Sequence, residues 1–197
     1  MMNEMTAILI LAAGNSSRLG KPKQLLRYKN KTLLETTITA ASLVPNAIVF
    51  VVTGASHDLI QKEDYVQSTQ ICFNPDWQNG MTTSIAAGLK QVLALYPDLQ
   101  KCIITVCDQP YLSNTVFEDL LKEYFKTGKG IIASSYSETL GTPVLFDKKY
   151  FSALLELKGQ EGAKKIINRF LDDTASILFK KGAVDIDTID DYNNLMS

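Results

Sequence analysis

The segment Leu11-Ala12-Ala13-Gly14-Asn15-Ser16-Ser17-Arg18-Leu19-Gly20-Lys21-Pro22-Lys23 runs from small residues into closely spaced cations. Glycine lets backbone approach a ligand closely and adopt positive φ. Successive free amide N–H groups in a tight turn form an anion-binding concavity. Arg18 offers a planar, two-pronged grip on phosphate oxygens, and Lys23 adds a point charge. The chemistry this suits is the holding of a phosphate chain; a polar turn with solvated charges is the alternative. Two commoner phosphate loops do not fit. Five residues separate Gly14 from Gly20 where the Walker pattern needs four, Pro22 follows Lys21, and there is no GxGxxG.

Two acidic segments could complement that loop. Cys107-Asp108-Gln109-Pro110 follows the apolar run Cys102–Val106, which places Asp108 at the carboxyl end of a strand. In Asp185-Ile186-Asp187-Thr188, strand-like alternation would turn Asp185 and Asp187 to one face. One or two carboxylates beside phosphate oxygens suit magnesium. The alternatives are a turn role for Asp108 ahead of Pro110 and capping of the last short helix by Asp185 or Asp187. A third segment, Asn74 to Ser84 (NPDWQNGMTTS), is polar and turn-rich and enters an amphipathic helix. Its amides and hydroxyls could read the edge of a base, or Thr82 or Thr83 could simply cap the helix.

The elements that must position these residues are legible from hydrophobic pattern. Ala7–Ala13, Ala47–Val52, Cys102–Val106 and Ile131–Ala133 are short apolar runs of the kind buried on both faces of a parallel sheet. Helical patterns lie between them. Thr83–Leu95 puts Ile85, Leu89, Val92 and Leu93 on one face. Ser113–Thr127 does the same with Val116, Phe117, Leu120, Leu121 and Tyr124, with Ser113 or Asn114 as cap. Glu161–Leu171 repeats the pattern with Ala163, Ile166, Ile167 and Phe170, and shorter strands are expected at Pro143–Phe146, Ser176–Phe179 and Ala183–Ile186. Alternating strand and helix predicts a three-layer α/β/α fold with a mostly parallel, Rossmann-like sheet. Ligands of such sheets bind beyond the carboxyl ends of the strands, where the Gly14 loop and Asp108 fall. No repeat or linker divides residues 1–197, so one domain is expected.

Composition excludes several function classes. Lys and Arg number 20 against 21 Asp and Glu, so a broad basic, nucleic-acid-binding surface is not expected. His57 is the single histidine; it rules out a His-rich zinc centre and reads as a helix-start residue. Cys72, Cys102 and Cys107 form no CxxC and read as buried thiols in a reducing compartment. The run AILILAA lacks a basic flank and is too short to be a signal-peptide core or a membrane span, so a cytoplasmic location without membrane partners is expected.

Taken together, LAAGNSSRLGKPKQLL, CDQP and DIDTIDDY resemble the motifs of nucleotidyltransferases related to the molybdenum-cofactor guanylyl- and cytidylyltransferases. In that family the first is close to [LT]-A-A-G-x-S-x-R-M-G-x-x-K; Leu19 stands where Met is usual, and Ile189 replaces a usual Pro in the last. The resemblance implies that Leu11, Ala12, Ala13, Gly14, Asn15 and Ser16 wrap a nucleoside triphosphate and that Arg18 and Lys23 neutralise it. Asp108 would be the main ligand of Mg²⁺ or Mn²⁺ and Asp187 the second, with Asp185 able to exchange roles. The two cations would bracket one end of the triphosphate and the two carboxylates the other. NGMTTS resembles the base-reading block of the cytidylyl branch, which implies Gly80, Met81, Thr83 and Ser84 at the base of CTP. Gly141-Thr142-Pro143 and Leu157 to Lys164 (LKGQEGAK) resemble segments bordering the pterin acceptor, with Gln160 for Asp and Lys164 for Arg.

The implied reaction moves CMP from CTP to the phosphate of molybdenum-bound molybdopterin and releases pyrophosphate, with a molybdenum hydroxylase as a possible client. Pro22-Lys23-Gln24 is also similar to the cytidylyltransferases of isoprenoid synthesis, which carry D-A-A-R-P where this chain has CDQP. Two readings of other classes stay open: an NAD(P)H-dependent oxidoreductase of the nicotine-catabolism type, and an accessory protein delivering cofactor to a xanthine-dehydrogenase-like enzyme.

Overall fold

A computed structural model describes residues 4–159 and 162–197. In chain order the strands are β1 (Thr6–Ala12), β2 (Arg27–Tyr28), β3 (Lys31–Thr32), β4 (Ala47–Thr53), β5 (Gln70–Phe73), β6 (Lys101–Val106), β7 (Ile131–Tyr136), β8 (Thr139–Asp147) and β9 (Thr174–Leu178). The helices are α1 (Leu33–Ser42), α2 (His57–Ile60), α3 (Met81–Leu95), α4 (Asn114–Thr127), α5 (Phe151–Leu155), α6 (Lys164–Arg169) and α7 (Ile189–Met196).

Every residue of β1 is buried. Because side chains alternate along a strand, Ala7, Leu9 and Leu11 enter one core with α3, α5 and α6, namely Ile85, Leu89, Phe151, Leu154 and Ile166. Ile8, Ile10 and Ala12 enter a second core with Leu34 and Ile38 of α1 and Phe117 and Leu120 of α4. The result is the expected three-layer α/β/α sandwich. Its seven-stranded sheet has the order β5-β4-β1-β6-β8-β7-β9. Pairs β1–β4, β1–β6, β4–β5 and β7–β9 are parallel. Strand β8 alone runs the other way, hydrogen-bonded between β6 and β7.

Local chemistry accounts for several boundaries. A reciprocal capping box between Thr32 and Glu35 starts α1. Gly128, at φ 65°, closes α4 in the left-handed conformation that favours glycine. Met81–Leu95 and Asn114–Thr127 match the expected helices closely, but Ser113 makes no side-chain capping bond. The third expected helix is shorter, Lys164–Arg169; Glu161, its expected start, lies outside the described residues together with Gln160. His57 does begin a helix, its Nδ1 2.7 Å from Thr53 Oγ1. All three cysteines are free and buried, and burial pushes the Cys107 thiol up to about 12.

The expected strand Ala183–Ile186 does not form. Lys180–Ala183 is a 3-10 turn, and the chain beyond it crosses the carboxyl end of the sheet. The Ile186 N–H bonds the Asp108 carbonyl at 3.0 Å instead of a neighbouring strand. The Ile186 side chain fills a small third core with Leu19, Leu26 and Leu33, against which Tyr192 and Leu195 of α7 pack. That cluster seats the C-terminal segment over the Gly14 loop.

Candidate active site

The site is built at the carboxyl edge of β1 and β6, whose register sets Leu11 beside Val106. Beyond that pair, Ala12 and Ala13 run into the Gly14 loop, and Cys107 and Asp108 leave β6 next to it. The loop is braced from within. The Gln24 side-chain amide donates to the carbonyls of Ala12 at 2.9 Å and Gly14 at 2.8 Å. Ser16 Oγ accepts from the Lys23 amide at 3.0 Å, and the Ser17 amide donates to Asn15 Oδ1 at 3.3 Å. Ser16 at φ 54° and Gly20 at φ 73° turn the chain. A Cβ placed on Gly14 would meet no atom within 4 Å, so internal packing does not call for glycine there.

Four charged side chains converge. Lys23 Nζ donates to Asp108 Oδ2 at 2.6 Å and to Asp187 Oδ1 at 2.9 Å, and Arg18 Nη2 donates to Asp187 Oδ2 at 2.7 Å. Burial opposes the charge of Lys23, but the carboxylates of Asp108 and Asp187 outweigh it and raise its pKa above the ordinary lysine range. The hydrogen bond from Lys23, aided by the charges of Lys23 and Arg18, holds the Asp187 carboxyl below the usual carboxylate range. Burial, then the negative charges of Asp108 and Asp187, push the Asp185 carboxyl up. The cations and the two carboxylates therefore form one interleaved cluster, not opposite ends of a site. The last helix is capped by Thr188, whose Oγ1 accepts from the Asp191 amide at 3.2 Å. Capping is thus not the task of Asp185 or Asp187. Lys21 sits 5.3 Å from the Tyr192 ring and ties the loop to α7.

The helix-entry segment lines the same end of the sheet. A Cβ on Gly54 would lie 2.6 Å from both the Ala13 carbonyl and Trp77 Cβ, so Gly54 lets this segment close against the loop. Gly80, at φ 104°, precedes α3 without a side-chain capping bond, so neither Thr82 nor Thr83 serves as its cap. Buried Asn74 donates to Thr83 Oγ1 at 2.9 Å and Ser84 Oγ at 3.0 Å, which draws both hydroxyls into internal bracing. Thr82 Oγ1 reaches the Gly159 carbonyl at 2.6 Å. Met81 is exposed at the head of the helix.

A pocket of about 350 Å³ adjoins Met81 and is walled by Tyr136, Thr142, Gly162 and Lys164. The two segments expected at the acceptor, around Gly141 and around Gly162, thus share one cavity. Lys164 Nζ is 2.6 Å from Thr139 Oγ1 across its mouth.

Three organising residues carry no readable sign of their role in the sequence. Gln24 and Gln109 are adjacent to motif residues, but what they do is set by the backbone carbonyls they meet once the chain is folded, 10 and 12 positions away for Gln24 and 33 and 73 for Gln109. Gln109 donates to the carbonyls of Thr142 at 3.2 Å and Gly182 at 2.9 Å, joining the end of β6 to the acceptor-side strand and the C-terminal segment. Asn74 braces the start of α3 through the hydroxyls of Thr83 and Ser84, nine and ten positions on.

The donor set fits a hard divalent cation. One oxygen from each of two carboxylates already faces a shared positive group, the Lys23 ammonium. Among the described residues no group of three or more His, Cys, Asp and Glu could hold a metal ion, so phosphate and water would complete the coordination of a cation held here.

The three-layer architecture is that of the Rossmann-like nucleotidyltransferases. More narrowly, the chain belongs to the family of the MobA-like NTP transferase domain, which matches residues 8–174. It is 27% identical over 192 residues, 95% of each chain, to the molybdenum cofactor cytidylyltransferase of Escherichia coli (strain K12). It is also 27% identical over 199 residues, again 95% of each chain, to the nicotine blue oxidoreductase of Paenarthrobacter nicotinovorans. Among solved structures it is similar to Rv0371c from Mycobacterium tuberculosis H37Rv, with a TM-score of 0.85 and 25% identity over 99% of this chain and 98% of that one. Rv0371c has also been solved in complex with manganese (TM-score 0.78, 24% identity, 97% of each chain).

Proposed function

We propose that this protein, read as one domain over residues 1–197, is a CTP-dependent cytidylyltransferase acting on the terminal phosphate of a molybdopterin-type acceptor. The observation that carries the reading is the convergence of Arg18, Lys23, Asp108 and Asp187 beside the braced Gly14 loop, with the Gly141–Gly162 pocket alongside. The cytidine preference rests on the NGMTTS segment and on similarity to the Escherichia coli enzyme.

Backbone amides of the loop hold the triphosphate, which approaches through the open space over Gly14. Arg18 and Lys23 offset its charge. Asp108 and Asp187 would hold Mg²⁺ or Mn²⁺, which when bound supplies charge stabilisation at the phosphate oxygens. An acceptor phosphate oxygen attacks the α-phosphorus in line. The bond from that phosphorus to the bridging oxygen breaks, pyrophosphate leaves, and no covalent enzyme intermediate is needed. Catalysis is positioning and electrostatic preorganisation. Gly80 and Met81 border the base, and the braced hydroxyls of Thr83 and Ser84 hold that border in shape. The setting proposed is the cytoplasm, with a molybdenum hydroxylase as client. Among the described residues no helix is long and apolar enough to cross a membrane.

The equal identity to an oxidoreductase favours keeping one second reading, NAD(P)H-dependent reduction of a quinone-like compound. One experiment separates the two. Pyrophosphate release is measured with CTP, GTP and ATP, each with and without molybdenum cofactor, beside NADH oxidation with a quinone acceptor. The expected result is cofactor-dependent release with CTP. Dominant turnover with GTP overturns the nucleotide assignment, and NADH oxidation alone overturns the transferase assignment.

A further inference from the structure

We propose that Lys23 is the resident cation of the two-carboxylate site, so that a divalent metal is excluded until a triphosphate draws the ammonium away. The inference rests on the nucleotidyltransferase reading of this site and adds an order of binding to it.

Three observations carry it. First, the Lys23 ammonium is bonded to both proposed metal ligands at once, 2.6 Å from Asp108 and 2.9 Å from Asp187. Second, Lys23 and Asp108 are well shielded, with side chains 20% and 16% exposed, so these ion pairs are only partly screened by water. Arg18, the other cation on Asp187, is 70% exposed and touches only its outer oxygen, Oδ2. Third, the two carboxylates bonded to Lys23 already have two cations as partners, Lys23 and Arg18, with Asp185 the further acidic group within electrostatic reach, so a divalent ion entering alone adds positive charge beside an ammonium that is still in place. A metal–triphosphate pair brings excess negative charge, which gives both cations new partners.

The backbone around Lys23 allows the exchange. Its amide is held by Ser16 Oγ at 3.0 Å, and its carbonyl accepts the Leu26 N–H at 3.1 Å. The residue thus stays anchored to the Gly14 loop while its four-carbon stem swings. The ammonium leaves the carboxylates for the phosphates without any loop opening. By linkage, the nucleotide must then strengthen metal binding as much as the metal strengthens nucleotide binding.

The test uses Mn²⁺ titrated into metal-free full-length protein, followed by electron paramagnetic resonance. Without nucleotide, Lys23→Met should bind Mn²⁺ about tenfold or more tightly than the unaltered protein, as expected for removal of one partly screened like charge. Arg18→Met should change affinity by less than about threefold, because its charge is exposed and screened. Adding α,β-methylene-CTP should tighten Mn²⁺ binding strongly in the unaltered protein and weakly in Lys23→Met. If Lys23→Met does not fold, Lys23→Gln carries the same expectation. Equal or weaker Mn²⁺ binding by the Lys23 variant overturns the proposal, as does an equal gain in Arg18→Met. If the analogue fails to bind while Lys23→Met still gains Mn²⁺ affinity, Lys23 is still the resident cation and the CTP assignment falls.

Discussion

Lys23 Nζ and Asp108 Oδ2 lie 2.6 Å apart across 85 positions of chain. The contact follows from sheet order: β1 and β6 are parallel neighbours, and both loops leave the same edge of the sheet. A ligand bound there meets a cation from one loop and a carboxylate from the other. Two further ion pairs bring in Asp187, which links the C-terminal segment to the same cluster.

Asp108→Asn should lower the rate of pyrophosphate release with CTP by roughly 10²–10³-fold, the range seen on loss of one preorganised electrostatic group. The fold should survive, since the neutral amide still fits beside Lys23. Steady-state kinetics with circular dichroism checks both halves. Near-normal turnover would remove Asp108 from the site.

Gly14 and Gly54 make opposite predictions for the same substitution. Gly14→Ala should leave the urea midpoint almost unchanged, because its Cβ meets no atom within 4 Å, yet it should weaken CTP binding by occupying the space the triphosphate needs. Gly54→Ala drives a Cβ to 2.6 Å from Ala13 O and Trp77 Cβ. It should cost about 1–3 kcal/mol of stability, the usual size of overpacking. Equal midpoints for the two variants would contradict this division.

Away from the site, Asp173 gives a signed pH dependence. Burial works against its charge, but hydrogen bonds from Lys149 and Tyr150 and from the Gly130 backbone hold its carboxyl below the usual range. A depressed carboxylate stabilises the fold above its unfolded pKa of about 3.9, and this contribution fades as pH falls through its folded value. Asp173→Asn should therefore be less stable than the unaltered protein at pH 7, with the gap closing below about pH 4. Urea midpoints at pH 7 and pH 3 test it; a gap independent of pH would show that the stabilisation is not ionic.

What the sequence alone determined was local. Uninterrupted runs such as Ala7–Ala13 state that a strand is buried on both faces, because no polar residue is available to face water. Helix spacing at Ile85, Leu89 and Val92 located α3, and loop composition marked the Gly14 turn. Tertiary structure decided everything that depends on partners. Val184–Ile186 has strand-like apolar residues, but the Ile186 N–H bonds the Asp108 carbonyl and its side chain enters the third core, so the segment became a strap over the site. The antiparallel insertion of β8 between β6 and β7 is a pairing choice that no periodicity encodes. Asp185 and Asp187 are equivalent by alternation, yet only Asp187 takes ion pairs with Lys23 and Arg18. Hydrophobic pattern is carried by neighbours within one turn or one pleat, whereas ion pairing and strand pairing are settled between groups tens to hundreds of residues apart.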